Sequence, residues 1–176
     1  DFATAGADFK VASIGSQADS QMLISGSPGG FLAAHLMRVD RHGVIDPSFG
    51  DAGVATLPLA GVGGPGLSAI ASTPQGDILL GISTTHVVNG GASGLAVVKF
   101  TGSGRRVLDF GSGGVAWDPG KTDLPAKQIV VARNGSFIAL NKSIHLATGR
   151  GGSWTTHDWA IYNSNGELNQ GYPGRW

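Results

Sequence analysis

A glycine followed six residues later by an aromatic residue returns three times along this chain of 176 residues. The glycines of successive copies lie 61 and 62 residues apart. Self-similarity at such a period is typical of a chain that folds as a series of equivalent units. The pattern therefore predicts a repeat protein in which scaffold residues recur and functional residues are found where the copies differ. The three copies, which we call markers, occupy residues 43–49, 104–110 and 166–172.

Shorter patterns inside each unit predict β-strands. A polar residue and a turn residue precede an apolar run at three equivalent places, around Ser20, Gly76 and Gly135, and such dipeptides commonly connect the strands of a hairpin. A further strand precedes each marker and another follows it, which makes four short antiparallel strands per unit. This favours an all-β fold of β-propeller-like repeats of about 60 residues, about three per chain, with a single barrel or sandwich as the alternative. The predicted strands cover residues 8–15, 21–26, 32–39, 54–59, 67–72, 77–83, 95–100, 115–117, 126–132, 136–141 and 159–162.

Composition supports short strands with tight turns and excludes several classes of protein. Glycine contributes 30 residues and charged residues only 14% of the chain, whereas surface helices need a charged solvent-facing side. Twelve basic residues balance twelve acidic ones, so no net field favours nucleic acid. The chain has no cysteine for a disulfide or a thiolate metal site, and no apolar run approaches the roughly 20 residues of a membrane span. With Asp1 in place of an initial methionine, this polar composition favours a secreted or periplasmic protein.

Counting from the markers divides the chain, as one repeat domain over residues 1–176, into units at approximately 1–49, 50–110 and 111–172. The predicted strands then fall into groups of three, four and four. Propellers typically need about four to eight blades to close, and three blades leave exposed sheet edges and apolar faces. We therefore expect either a segment of a longer repeat protein or copies that associate. A homodimer that closes a six-bladed ring is the simplest symmetric solution.

Two marker blocks and one strand carry a family signature. Residues 46–54 read Asp-Pro-Ser-Phe-Gly-Asp-Ala-Gly-Val, residues 108–115 read Leu-Asp-Phe-Gly-Ser-Gly-Gly-Val, and residues 95–100 read Leu-Ala-Val-Val-Lys-Phe. Over about residues 16–172 the chain resembles the delta-60 repeat, a bacterial β-propeller-type repeat, and it departs from that pattern at residues 169–172. The resemblance implies a propeller-type fold and export, and it carries no general set of catalytic residues.

The marker residues themselves are predicted to be scaffold. Phe49, Phe110 and Tyr172 recur in phase, which is typical of core aromatics, and Asp46 is expected to accept backbone hydrogen bonds in its turn. The turn at residues 163–167 is rich in side-chain oxygens, as calcium loops are, but the equivalent turns lack that number of carboxylates. We therefore predict no cofactor, with calcium at this turn as the alternative.

Enzyme motifs are missing from the sequence. The five histidines, among them His35, show no pairing typical of a zinc or catalytic site, and no nucleophile elbow or phosphate-binding loop precedes a helix. Asp118, Asp123 and Asp158 are the candidate carboxylates for a hydrolase with its acid and base on a blade face. The sequence favours a non-enzymatic module over this alternative.

Segments without a counterpart in the other units form the predicted binding site. Residues 86–93 and 142–157 stand where the first unit has only residues 26–31, and loops of variable length on a repeat scaffold commonly carry binding. Aromatic and basic side chains in these segments suit a sugar or a peptide. The sequence thus predicts an interaction module for a protein or a glycan, with lectin-like carbohydrate binding as the leading alternative. The predicted ligand-binding residues are His86, Arg150, Trp154 and His157.

Overall fold

The described part of the computed structural model is built from β-strands. The structure describes residues 9–17, 20–27, 33–58, 66–84, 94–118, 126–145 and 154–169. Within them eleven strands form three antiparallel sheets without an α-helix, which confirms the predicted all-β fold. The strands are β1 (Lys10–Ser16), β2 (Met22–Ser27), β3 (Ala33–Val39), β4 (Val54–Pro58), β5 (Gly66–Ser72), β6 (Ile78–Thr84), β7 (Gly94–Phe100), β8 (Val115–Asp118), β9 (Gln128–Val131), β10 (Phe137–His145) and β11 (Trp154–Tyr162).

Each sheet is a meander in which strands that follow one another in sequence pair side by side. Sheet 1 has the order β1-β2-β3-β4, sheet 2 the order β5-β6-β7-β8, and sheet 3 the order β9-β10-β11. The sheets are copies of one structural unit, because equivalent residues pair in each of them; within the described residues they do not form a closed propeller. The pairs that open the second hairpin of each sheet are Met22 with Val39, Ile78 with Phe100 and Phe137 with Tyr162.

The marker lies inside a sheet rather than between sheets. β4 follows the first marker and pairs with β3, for example Val54 with Met37, and β8 pairs with β7 in the same way. The sheets therefore contain four, four and three described strands instead of the expected three, four and four, and they end after Pro58 and Asp118. The marker is the most regular pattern of the sequence and so suggests a boundary. The chain reverses at the marker, however, and antiparallel strands joined by a reversal pair as direct neighbours.

The sheets pack face to face in chain order, with their first strands nearest to one another. β5 contacts both β1 and β9, so sheet 2 lies between the other two. We call the face of a sheet toward the preceding sheet its front face and the face toward the following sheet its back face. Sheet 2 buries Leu80 and Val98 of its front face against sheet 1, and Leu79 and Val97 of its back face against sheet 3. Each such side chain stabilises the fold by about 1.5–3 kcal/mol.

Each described marker aromatic lies in one of these two cores. Phe49 is fully buried in the core between sheets 1 and 2, and Phe110 is buried in the core between sheets 2 and 3, which confirms that both are scaffold residues. Phe110 stacks on Phe137, with ring centroids 6.0 Å apart. Glycines of the following sheet leave room for the rings, since a Cβ on Gly104 would stand 3.0 Å from Phe49 Cζ, and one on Gly166 would stand 2.8 Å from Phe110 Cε2.

The two ends of the stack carry different connections. The end that we call the turn end holds the hairpin turns after β1, β5 and β9 and the marker connections after β3 and β7. The opposite end, which we call the loop end, holds the connections after β2, β6 and β10 and those that lead from one sheet to the next. Because antiparallel strands alternate in direction, every second connection belongs to the same end.

Candidate functional site

Connection lengths distinguish the two ends of the stack. At the turn end, the three hairpin turns at residues 17–21, 73–77 and 132–136 have five residues each, and the marker connections at 40–53 and 101–114 have 14 each. At the loop end, the connections after β2, β6 and β10 have five, nine and eight residues. Variation in length between these equivalent connections is therefore confined to the loop end.

Two of the four predicted ligand-binding residues lie in a described strand at the loop end. Trp154 and His157 lie in the first half of β11, which begins at this end, and their side chains are outside the description. His86 and Arg150 lie outside the described residues, in the connections after β6 and β10. The strand ends that adjoin these four positions in sequence therefore lie at the same end of the stack.

Both ends of the segment at residues 142–157 belong to strands. Residues 142–145 continue β10 and residues 154–157 begin β11, and the two parts pair in register, from Lys142 with His157 to His145 with Trp154. Both strands have nine residues, whereas β2 has six and β3 has seven. The sequence predicts a loop here, because the segment has no counterpart in the other units. Its β-branched residues, which include two consecutive threonines, instead favour a longer hairpin.

A buried carboxylate lies where β8 reaches the loop end. Asp118 is buried between sheets 2 and 3, although Leu57, the equivalent residue of sheet 1, belongs to an apolar core. The hydroxyl group of Tyr162 is also buried and makes no hydrogen bond to a described residue. Burial, and secondly the negative charge of Asp118, raise the pKa of Tyr162, so the phenol is neutral. Of the other candidate carboxylates, Asp123 lies outside the described residues, and Asp158 lies in β11 with its side chain outside the description.

A shallow groove crosses the first strands of all three sheets close to the turn end. It has a volume of about 610 Å³ and is lined by residues 15–17, 70–72 and 129–131, a size that suits a small ligand. Ser72 Oγ already donates to the carbonyl oxygen of Ser16 at 2.7 Å in this region. The sequence does not indicate the groove, because its lining residues recur in phase and therefore resemble scaffold.

The turn considered for calcium is closed by its own hydrogen bonds. Asn163 Oδ1 accepts from the backbone amides of Asn165 and Glu167, at 3.0 Å each, and Asn163 Nδ2 donates to the Glu167 carboxylate at 2.7 Å. In the equivalent turn, hydrogen bonds from two backbone amides hold the pKa of Asp40 below its usual range. No group of three or more histidine, aspartate or glutamate residues that could hold a metal ion occurs among the described residues. Calcium at this turn stays a prediction.

Comparisons with known proteins bear on the resemblance to the delta-60 repeat. No protein-family model and no curated protein matches this chain. The resemblance therefore stays a prediction. In the part of the chain that the structure describes, no helix is long and apolar enough to cross a membrane.

Proposed function

We propose that this chain is an exported, non-enzymatic binding module whose loop end recognises a protein or a glycan. The observation that carries the proposal is the confinement of length variation to that end. Connections of constant length hold the turn end, while the equivalent connections at the loop end range from five to nine residues. A scaffold tolerates such variation where the connection has no part in packing, and recognition surfaces are commonly built on connections of this kind.

The rigidity of the sheets supports the same assignment. Sheet 2 buries both faces, so β6 and β7, which flank the longest of the variable connections, have fixed positions. Binding residues carried by a fixed support lose less conformational freedom when a ligand binds, which favours affinity. The loop end therefore combines variable chemistry with a preorganised base.

The residue types at the loop end suit a polar ligand with flat apolar surfaces. Trp154 offers an indole ring for stacking, and Arg150, His86 and His157 offer nitrogen donors for hydrogen bonds. A sugar ring or a peptide with exposed carbonyl groups presents complementary chemistry. A lectin-like glycan site is thus one version of the proposal, and a peptide site is the other.

The test exchanges connections between units. In the loop chimera, the five residues 28–32 replace residues 146–153; in the matched turn chimera, residues 73–77 replace residues 132–136 at unchanged length. Each protein is then probed with a glycan array and with peptides that are selected from a random display library on the parent chain. We expect the loop chimera to lose at least tenfold in affinity for the selected probe, and the turn chimera to keep it.

Thermal unfolding of both chimeras separates loss of binding from loss of structure. A loop chimera that unfolds near the parent temperature but no longer binds supports the proposal. Full binding by the loop chimera, or a parent chain that captures neither glycan nor peptide at tens of micromolar, contradicts it.

A further inference from the structure

The uncovered faces at the two ends of the stack carry the same residue positions as the two buried interfaces inside it. The front face of sheet 1 and the back face of sheet 3 have no described sheet against them. Their residues can therefore be compared, position by position, with residues that neighbouring sheets cover.

On the front face of sheet 1, the corner nearest the turn end is uncovered. Ile14 is 66% exposed, whereas Ile129, its equivalent on the front face of sheet 3, is only 8% exposed. Met22 is likewise exposed, while its equivalents Ile78 and Phe137 are buried. The remainder of this face is already covered in the chain, since Met37 and Val39 are buried and Phe9 lies beside His35.

A vacant space adjoins the same corner. Gly104 and Gly166 each contact the marker aromatic of the preceding sheet. Gly43 is the equivalent residue of sheet 1, and no described atom lies within 4 Å of a Cβ built on it. The front face of sheet 1 thus retains the space for a marker aromatic that it does not receive from the described chain.

On the back face of sheet 3, apolar side chains are only partly covered. Val130 is 47% exposed, and Ile138 and Ile161 are half-buried. Leu23 and Leu79, which are equivalent to Ile138 on the back faces of sheets 1 and 2, are buried by the sheet that follows. The back face of sheet 3 therefore carries the apolar residues of an inter-sheet interface, but no described sheet covers them.

One internal contact defines how the two uncovered faces would meet. Gly15, on the back face of sheet 1, lies against Ile70 on the front face of sheet 2, and a Cβ on Gly15 would stand 3.6 Å from Ile70 Cβ. In sheet 3 the residue equivalent to Gly15 is Val130, and in sheet 1 the residue equivalent to Ile70 is Ile14. Since valine is larger than glycine, sheet 3 of one copy and sheet 1 of another would lie slightly farther apart at this point than sheets 1 and 2 do inside the chain.

We propose that the back face of sheet 3 binds the uncovered corner of the front face of sheet 1 of a second copy of this chain, with Val130 of one copy against Ile14 of the other. The interface is head-to-tail, since it joins two different faces. Two copies joined twice in this way place six sheets in one ring, within the range in which propellers close. The homodimer expected from the sequence thus acquires a defined pair of faces.

Cysteine cross-linking tests the pairing, because the chain contains no cysteine of its own. Disulfides form at Cβ–Cβ distances of about 3.5–4.5 Å, which includes the spacing of the internal Gly15–Ile70 pair. An Ile14→Cys chain and a Val130→Cys chain are mixed in a glutathione redox buffer. We expect the mixed disulfide dimer to exceed both homodimers at least tenfold. Val44→Cys, at an equally exposed position of the turn end, replaces either variant as the control and should give no enrichment.

Sedimentation equilibrium of charged variants supplies an independent test. The parent chain is expected at a two-chain mass at tens of micromolar, and Ile14→Arg or Val130→Glu alone at a one-chain mass with an unchanged circular dichroism spectrum. An equimolar mixture of these two variants should recover a two-chain mass, since one uncharged pair of faces remains, whereas Val44→Glu should behave as the parent. A parent chain that is monomeric at these concentrations, or preferential cross-linking of Ile14→Cys to itself, overturns the proposal.

Discussion

Arg38 connects the marker of its own sheet to the turn of the next one. Its Nε donates to the Asp46 carboxylate at 2.9 Å, its Nη1 donates to the Gly102 carbonyl oxygen at 2.7 Å, and its guanidinium lies 5.0 Å from the centre of the Phe49 ring. The turn role of Asp46 was predictable, and it is confirmed by the backbone amide of Ser48, which donates to Asp46 Oδ1 at 2.9 Å. The role of Arg38 was not predictable, because the sequence does not distinguish a single cation near the end of a strand from a solvated surface charge.

Acid should reveal the stabilisation that Asp46 provides. Hydrogen bonds from the Ser48 hydroxyl and amide, followed by the interaction with Arg38, lower the pKa of Asp46 to about 2, against about 3.9 in an unfolded chain. Since the folded-state pKa is the lower one, the carboxylate stabilises the fold above pH 4, and this contribution is lost as the pH falls toward 2. We expect Asp46→Asn to lower the urea midpoint at pH 7 and to make it less dependent on pH between 5 and 2.

Ser48→Ala is the matched variant for this measurement, because it keeps the carboxylate and removes the hydrogen bond that the Ser48 hydroxyl donates to Asp46 Oδ1. Its urea midpoints should fall between those of the parent and of Asp46→Asn at pH 7. If Asp46→Asn loses as much stability on acidification as the parent, the carboxylate is not the group responsible.

At the scale of the element, the strands were predictable and their grouping was not. The alternation and turn signals locate β5, β6 and β7 within about two residues, because local apolar patterns and turn residues determine strands of this length. Pairing partners depend on where the chain reverses. The marker connection contains several turn residues over 14 positions, so the sequence alone did not show that β4 returns to β3.

In sheet 2, the glycine directly after the marker allows the equivalent return of β8 to β7. Gly111 has φ +60°, and a Cβ on it would overlap the Val115 carbonyl oxygen, whereas Gly113 has a similar φ of +62° and no described atom within 4 Å of its Cβ position. We expect Gly113→Ala to cost about 1 kcal/mol, the strain of left-handed backbone alone. Gly111→Ala should cost on the order of 3 kcal/mol, because β8 must also move. Urea unfolding measures both, and equal costs would contradict the proposed overlap.

At the scale of the whole molecule, repetition predicted that the chain folds as a series of equivalent antiparallel sheets, but not the contacts between those sheets. The phase of the markers indicated that Phe49 and Phe110 are core residues, yet not that each lies between its own sheet and the following one. Likewise, the described strand ends that adjoin the four predicted binding positions lie at one end of the stack, while the sequence did not indicate the groove across β1, β5 and β9. Side chains that recur in phase give the sequence no signal that separates a groove lining from a core.

Truncation of Phe110 should weaken the contact between sheets 2 and 3. The ring is buried and stacks on Phe137, so Phe110→Ala leaves a cavity and should cost about 3–5 kcal/mol. The neighbouring Leu108 is 67% exposed, and Leu108→Ala should stay within about 0.5 kcal/mol of the parent. Hydrogen exchange is expected to rise first in β9–β11, and an increase confined to β1–β4 would contradict this assignment.

The forward placement of the marker aromatics gives the stack a polarity. Each sheet completes the core of its successor rather than that of its predecessor, so the two ends of any such array are chemically unequal. Removal of the last sheet would leave a protruding ring exposed to water, whereas removal of the first would leave a hole in the surface that remains. New units can therefore be added at either end by duplication, but only in one orientation, and an inverted copy would not fit.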